Sequence, residues 1–221
     1  MRLEQWTSSS GRRRWLTKLD PQEARAYSAA VRLALPHPAV GPRSFAAPAG
    51  PGRAWQPAWL SWQRTVVTES ADADLVIVSD VAACYPSIRS AAIRMAARRA
   101  GGEPEPLLAQ LARFRDAGVR GIPIGPAPSA WVGEAILSIA DERTRKAGVA
   151  PIRWVDDVVF AGDSDAVRRA SVAWTRALSE VGLRENESKR RTFTRGTLEG
   201  IAVGGAPSLA RCIRRGIIRT S

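Results

Sequence analysis

Six consecutive residues, Leu75-Val76-Ile77-Val78-Ser79-Asp80, constrain this chain more than any other stretch. Four apolar residues without polar alternation mark a buried strand. The strand closes on a carboxylate, whose desolvation costs several kcal/mol unless it is paired or bound to a metal. The fold must therefore bury residues 75–80 and supply Asp80 with a partner.

The chain has 221 residues and 45% hydrophobic content, enough for one generous domain or two small ones, and too apolar for whole-chain disorder. Cys84 and Cys212 are its cysteines and His37 its single histidine, which excludes a disulfide framework and a zinc finger. His37 lies between Pro36 and Pro38 and reads as a loop residue. No run approaches the roughly 18 apolar residues of a membrane span, and residues 1–10 lack a signal-peptide core. The expected setting is the cytoplasm, with no membrane partner.

Around the 75–80 run the other elements fall into order. A helix is expected over 21–35, with Asp20 as its cap and Pro21 in its first turn. Six prolines between 36 and 57 make 36–62 the least regular stretch and the best subdomain boundary. Helices are expected over 87–100, 106–117, 129–146 (opened by Ser129) and 164–181 (capped by Ser164), with a Gly-Pro loop at 121–128. Residues 152–155 and 158–161 form a hairpin with Asp156-Asp157 at its tip. Strands follow at 190–194 and 198–203. The predicted class is α+β, an antiparallel sheet covered by helices on one face.

The net charge of +12 is uneven. Residues 1–70 carry 10 basic and 4 acidic side chains, net +6; residues 71–160 carry 11 of each; residues 161–221 carry 12 and 6, net +6. Arginine accounts for 30 of the 33 basic residues. Arginine forks bind two phosphate oxygens at once, so the arms suit a polyanion, although a genomic bias toward arginine and alanine gives the same composition. If the hairpin pairs beside 75–80, Asp80, Asp156 and Asp157 converge. Hard divalent cations favour such oxygen clusters, and two ions about 4 Å apart are the usual apparatus of phosphoryl transfer. Taken singly, each acid reads more readily as turn chemistry (Asp156-Asp157) or as the cap of the following helix (Asp80) than as a metal ligand.

Four segments follow one another: Asp80-Val-Ala-Ala-Cys-Tyr85-Pro-Ser-Ile88, Gly121-Ile-Pro-Ile-Gly125-Pro-Ala-Pro-Ser129, Trp154-Val-Asp156-Asp157 and Gly182-Leu-Arg-Glu-Asn186-Glu-Ser-Lys189. In this order they resemble the palm motifs of reverse transcriptases, in particular the bacterial retron, group II intron-like and phage-defence enzymes. The resemblance covers residues 75–205 and implies a ferredoxin-like right-hand palm. Residues 1–74 would then be small fingers, and 206–221 a basic tail or thumb remnant. It implies that Asp80 and Asp156 hold two Mg²⁺ (Mn²⁺ as a substitute), with Asp157 in the same cluster. Tyr85 would reject a ribose 2′-hydroxyl, Gly125 and the helix from Ser129 would form the floor under the nucleotide, and Lys189 would lie near the triphosphate as a catalytic group. Glu199 to Gly204 would be the primer grip. The implied partners are an RNA template, a DNA or RNA primer and dNTPs, with a partner protein or non-coding RNA in a defence or retron setting.

Two departures stand out. Trp154 replaces the tyrosine of the usual Tyr-x-Asp-Asp box, and Ile124 replaces a glutamine common before the second loop glycine. Arg43, Arg53 and Arg64 are candidates for the triphosphate arginine on charge. Trp55, Trp59 and Trp62 are spaced either to stack on bases or to pack as a helical face. Template-independent or protein-primed synthesis, and an idle RNA-binding scaffold, are the competing functions.

Overall fold

The computed structural model describes residues 1–7, 13–45 and 55–195. Strands β1 (Arg2–Thr7) and β2 (Arg13–Lys18) form an antiparallel hairpin that the sequence reading missed. Helix α1 (Pro21–Ala34) begins in a capping box, with Glu23 N–H donating to Asp20 Oδ1 at 2.9 Å and Asp20 N–H to Glu23 Oε2 at 3.1 Å. Helix α2 (Trp55–Ala71) takes in 55–62, the end of the stretch expected to be irregular; Pro57 falls in its first turn, where a missing N–H costs no helical hydrogen bond.

Strand β3 (Leu75–Asp80) is buried along its whole length. Then come a short helix α3 (Cys84–Ser87), α4 (Ser90–Ala100), α5 (Glu105–Asp116) and α6 (Ala127–Lys146). Helix α6 opens after Pro126, and Ser129 is not its cap: its hydroxyl is buried 2.9 Å from Tyr27 Oη. The hairpin strands are β4 (Ile152–Trp154) and β5 (Asp157–Gly162). Helix α7 (Ser164–Glu180) is capped by Asp163 rather than Ser164, since Asp163 Oδ1 accepts from both Asp165 and Ala166 N–H. A 3₁₀ turn (Glu187–Lys189) leads into β6 (Arg191–Thr194). The strand expected at 198–203 lies outside the described residues.

The sheet runs β4-β5-β3-β6, every neighbour antiparallel. Numbered from β3, this is the 4-1-3-2 order of a β-α-β-β-α-β unit. The chain is α+β, as expected. The one-face covering is corrected. Leu75, Ile77, Val158 and Phe160 face the layer containing α1, α4, α5, α6 and α7, whereas Val76, Val78 and Val159 pack against Trp62 and Val66 of α2. A strand apolar at every position needs both faces covered, which one layer of helices does not provide.

The N-terminal elements pack directly on later ones. Helix α1 meets α5 and α6, and α2 meets β4 and β5. Thr17 N–H donates to the Ile124 carbonyl at 2.7 Å, tying β2 to the 121–126 loop. Among the described residues no helix is long and apolar enough to cross a membrane.

Candidate active site

Asp80 and Asp157 are direct partners across the β3–β5 ladder. By strand alternation both carboxylates project from the face that carries Val76, Val78 and Val159. Asp156 sits at the hairpin tip, its carbonyl accepting from Val81 N–H at 3.1 Å. The residue before it, Val155, has φ of +51°, and Ala83 on the other wall has +44°. A β-branched residue in the left-handed region is strained by about 1–3 kcal/mol, and such strain persists only where the surroundings enforce it.

The enforcing group is Arg153, which is fully buried. Its Nε lies 3.0 Å from each oxygen of Asp141, its Nη2 reaches Glu134 Oε1 at 2.6 Å and Asp141 Oδ2 at 2.8 Å, and its Nη1 donates to the Val155 carbonyl at 2.9 Å. Glu134 also accepts from Gly41 N–H and the Ser44 hydroxyl. A Cβ at Gly41 would fall 1.9 Å from Asp141 Oδ2, so only glycine lets that backbone close over the cluster. Glu134 and Asp141 stand one heptad apart in the buried 132–141 run of α6, whose other polar residue is Ser138; two acids in so apolar a run are the sequence signal of a buried polar pair.

The 184–189 segment fastens the other side. Ala82 N–H donates to the Arg184 carbonyl at 2.9 Å, and Asn186 N–H to the Asp80 carbonyl at 2.7 Å. Asn186 Nδ2 donates to Asp80 Oδ1 at 2.9 Å, and Lys189 Nζ forms an ion pair with Asp80 Oδ2. These groups enclose a cleft of about 560 Å³, lined also by Arg14, Tyr85, Ile124 and Trp154.

Three carboxylates therefore share one cleft with two cations. Desolvation and then the charge of Asp80 push Asp156 above its ordinary pKa, with Lys189 and Arg14 pulling back. Burial, followed by the charges of Asp156 and Asp80, drives Asp157 well above its ordinary value. The two cations do not fully offset the crowding, and the donor set, all hard carboxylate oxygen, fits a divalent cation. Asp80 commits its oxygens to Asn186 and Lys189, and among the described residues no three His, Cys, Asp or Glu side chains are already gathered as a ligand cage.

Tyr85 lines the cleft with its ring against α6, where a Cβ on Gly133 would come within 3.0 Å of Tyr85 Cε1. Burial raises its phenol pKa. Gly125 is not brought to the acids. It is exposed, with φ of +116°, beside Thr17 in a separate groove, and Ile124 faces the cleft instead. Arg43 pairs with Glu69, and Arg64 is absent from the cleft lining. The arginine in the cleft is Arg14, which sequence reading missed; alternation on either side of Ser8-Ser9-Ser10-Gly11 was the available hairpin signal. Trp59 stacks on Trp62 at 5.0 Å and meets Trp154 edge-on at 5.0 Å, so these rings are a packed face. Trp55's side chain, Arg53 and Glu199 to Gly204 lie outside the described residues. No protein-family model matches the sequence, and no curated protein matches it.

Proposed function

We propose that this chain is a reverse transcriptase, an RNA-directed DNA polymerase whose palm is the β3–β6 sheet with its helices. The carrying observation is the pairing of Asp80 with Asp157 at the end of a sheet in 4-1-3-2 order, with Asp156, Lys189, Arg14 and Tyr85 around the same cleft. Asp80 and Asp156 would hold two Mg²⁺, Asp157 completing the acid cluster. When bound, the ions activate the primer 3′-hydroxyl and neutralise the departing pyrophosphate. Arg14 offers a fork to the triphosphate. Tyr85, fixed against Gly133, limits space at the sugar. Lys189 carries a proton that the leaving oxygen can accept as the α–β anhydride breaks and the 3′-oxygen bonds to the α-phosphorus.

Primer extension on an RNA template with dNTPs and Mg²⁺ tests this directly. Asp156→Ala together with Asp157→Ala should abolish synthesis. Synthesis retained by that double variant overturns the assignment.

Ile124 facing the cleft favours a second reading, nucleotide addition without a template, because it offers no polar contact to a base. Product sequences identical with and without added RNA would establish it over templated copying.

A further inference from the structure

The acid cleft does not end at the catalytic residues. Arg14 and Ile124 line both it and a second groove of about 570 Å³, which runs between the N-terminal hairpin and the 118–124 loop. Val119 and Arg120 in turn line both that groove and a third of about 490 Å³ between α4 and α5. The three adjoin one another, each sharing lining residues with the next. Arg13, Arg14, Arg120, Arg89 and Arg115 succeed one another along them, all exposed, and neither outer groove has an acidic residue in its lining. Arg13, Arg14, Arg89 and Arg120 form no ion pair among the described residues, and Arg115 has only a 3.9 Å contact with exposed Asp116. Trp15, 59% exposed, stands in the second groove with a free indole face.

We propose that this track binds the single strand of RNA that continues out of the acid cleft. Unpaired guanidinium forks in sequence match a phosphate backbone, and an exposed indole among them matches an unpaired base. The grooves are concave, which a flat membrane surface does not fill, and the indole stands beside Arg13 and Arg14, where a base between two phosphates can stack. Identifying the polyanion as RNA rests on the polymerase reading; the groove and its charge do not.

The test is binding of a labelled single-stranded RNA of about 12 nucleotides to the full chain, without dNTPs, across a salt series. Arg89→Ala/Arg115→Ala/Arg120→Ala should weaken binding at least about tenfold and lower the log–log salt slope by about 2, the value for three lost contacts to a single strand. Trp15→Ala should weaken it by about tenfold. A control removes the same charge from α7, where Arg168, Arg169 and Arg176 are exposed and line none of the three grooves. It should change affinity less than about threefold, as expected for screened charge alone. Equal weakening by both triple variants, or no binding by the parent chain, overturns the track. Thermal melts check that the variants fold. The two readings separate cleanly. Loss of binding in the track variant of a chain that never polymerises leaves the track standing, whereas polymerisation with unchanged RNA affinity in that variant removes it.

Discussion

Arg153 donates from Nη1 to the carbonyl of Val155, 2.9 Å away, and so holds the hairpin in the left-handed turn that presents Asp156. The same guanidinium satisfies Glu134 and Asp141 on α6. A buried cation with two carboxylates and a backbone acceptor thus joins the acid tip to the long helix beneath it. Coupling of this kind converts local strain into a defined geometry, since the strained turn cannot relax without breaking the buried pairs.

Removing the cation alone should therefore be severe. Arg153→Met leaves Glu134 and Asp141 buried without their partner, and the expected loss is on the order of 3–5 kcal/mol in urea unfolding. Replacing Arg153, Glu134 and Asp141 together by apolar residues should cost less than the single change. A triple variant less stable than Arg153→Met would show that the charges are not the issue.

Gly41→Ala should be destabilising by about 1–3 kcal/mol, because its Cβ would meet Asp141 Oδ2 at 1.9 Å. The severe clash is with the Asp141 carboxylate, Arg153 Nη2 being the next atom at 3.3 Å, so the effect should shrink when Asp141 is already alanine. A double-mutant cycle measures this, with a coupling energy of at least about 0.5 kcal/mol expected. Additive effects would mean that the backbone, not the carboxylate, resists the methyl.

Asp157→Asn should raise the melting temperature at neutral pH in chelator. The folded pKa of Asp157 lies well above its ordinary 3.8, so its charge destabilises the fold above that folded value. The penalty disappears as pH falls below the unfolded value, and the advantage of the variant should disappear with it. Added Mg²⁺ should stabilise the parent chain more than the Asp156→Asn/Asp157→Asn variant, as ligand linkage requires. Equal shifts in both would count against metal binding by these acids.

Glu142 gives a small acid-side effect of opposite sign. Lys146 and Arg99 hold its pKa at about 2, below its ordinary 4.5. Its contribution is present above about 4.5 and is lost as pH falls toward about 2. Because the group is near the surface, Glu142→Gln should cost no more than about 0.5 kcal/mol at pH 7 and nothing near pH 2. Denaturation midpoints measured at pH 7 and near pH 2 should show that difference.

The β3 strand, the helices from α4 to α7 and the Asp156-Asp157 tip were legible because each is written in neighbouring residues: apolar runs, helical spacing and Gly stops. Helix α4 starts at Ser90 rather than at 87, because Ser87 ends the short helix α3, and α6 starts two residues early at Ala127; in α7 the start is as expected and the capping role moved. Asp163 displaced Ser164 as the α7 cap, and Tyr27 recruited the Ser129 hydroxyl.

The sequence alone determined that buried strands end in acids, and that those acids need counter-charges. Tertiary structure decided which counter-charges arrive. Arg14 reaches the cleft only because β2 docks on the 121–126 loop, and Lys189 only because 184–189 is tied to residues 80–82. Arg153 is buried only because α6 places Glu134 and Asp141 beside it. Local periodicity specifies an element and its buried face, whereas contacts between separate elements, whether 12 residues apart as in Arg153–Asp141 or 109 as in Lys189–Asp80, depend on how the faces of those elements fit together. No single segment carries that information.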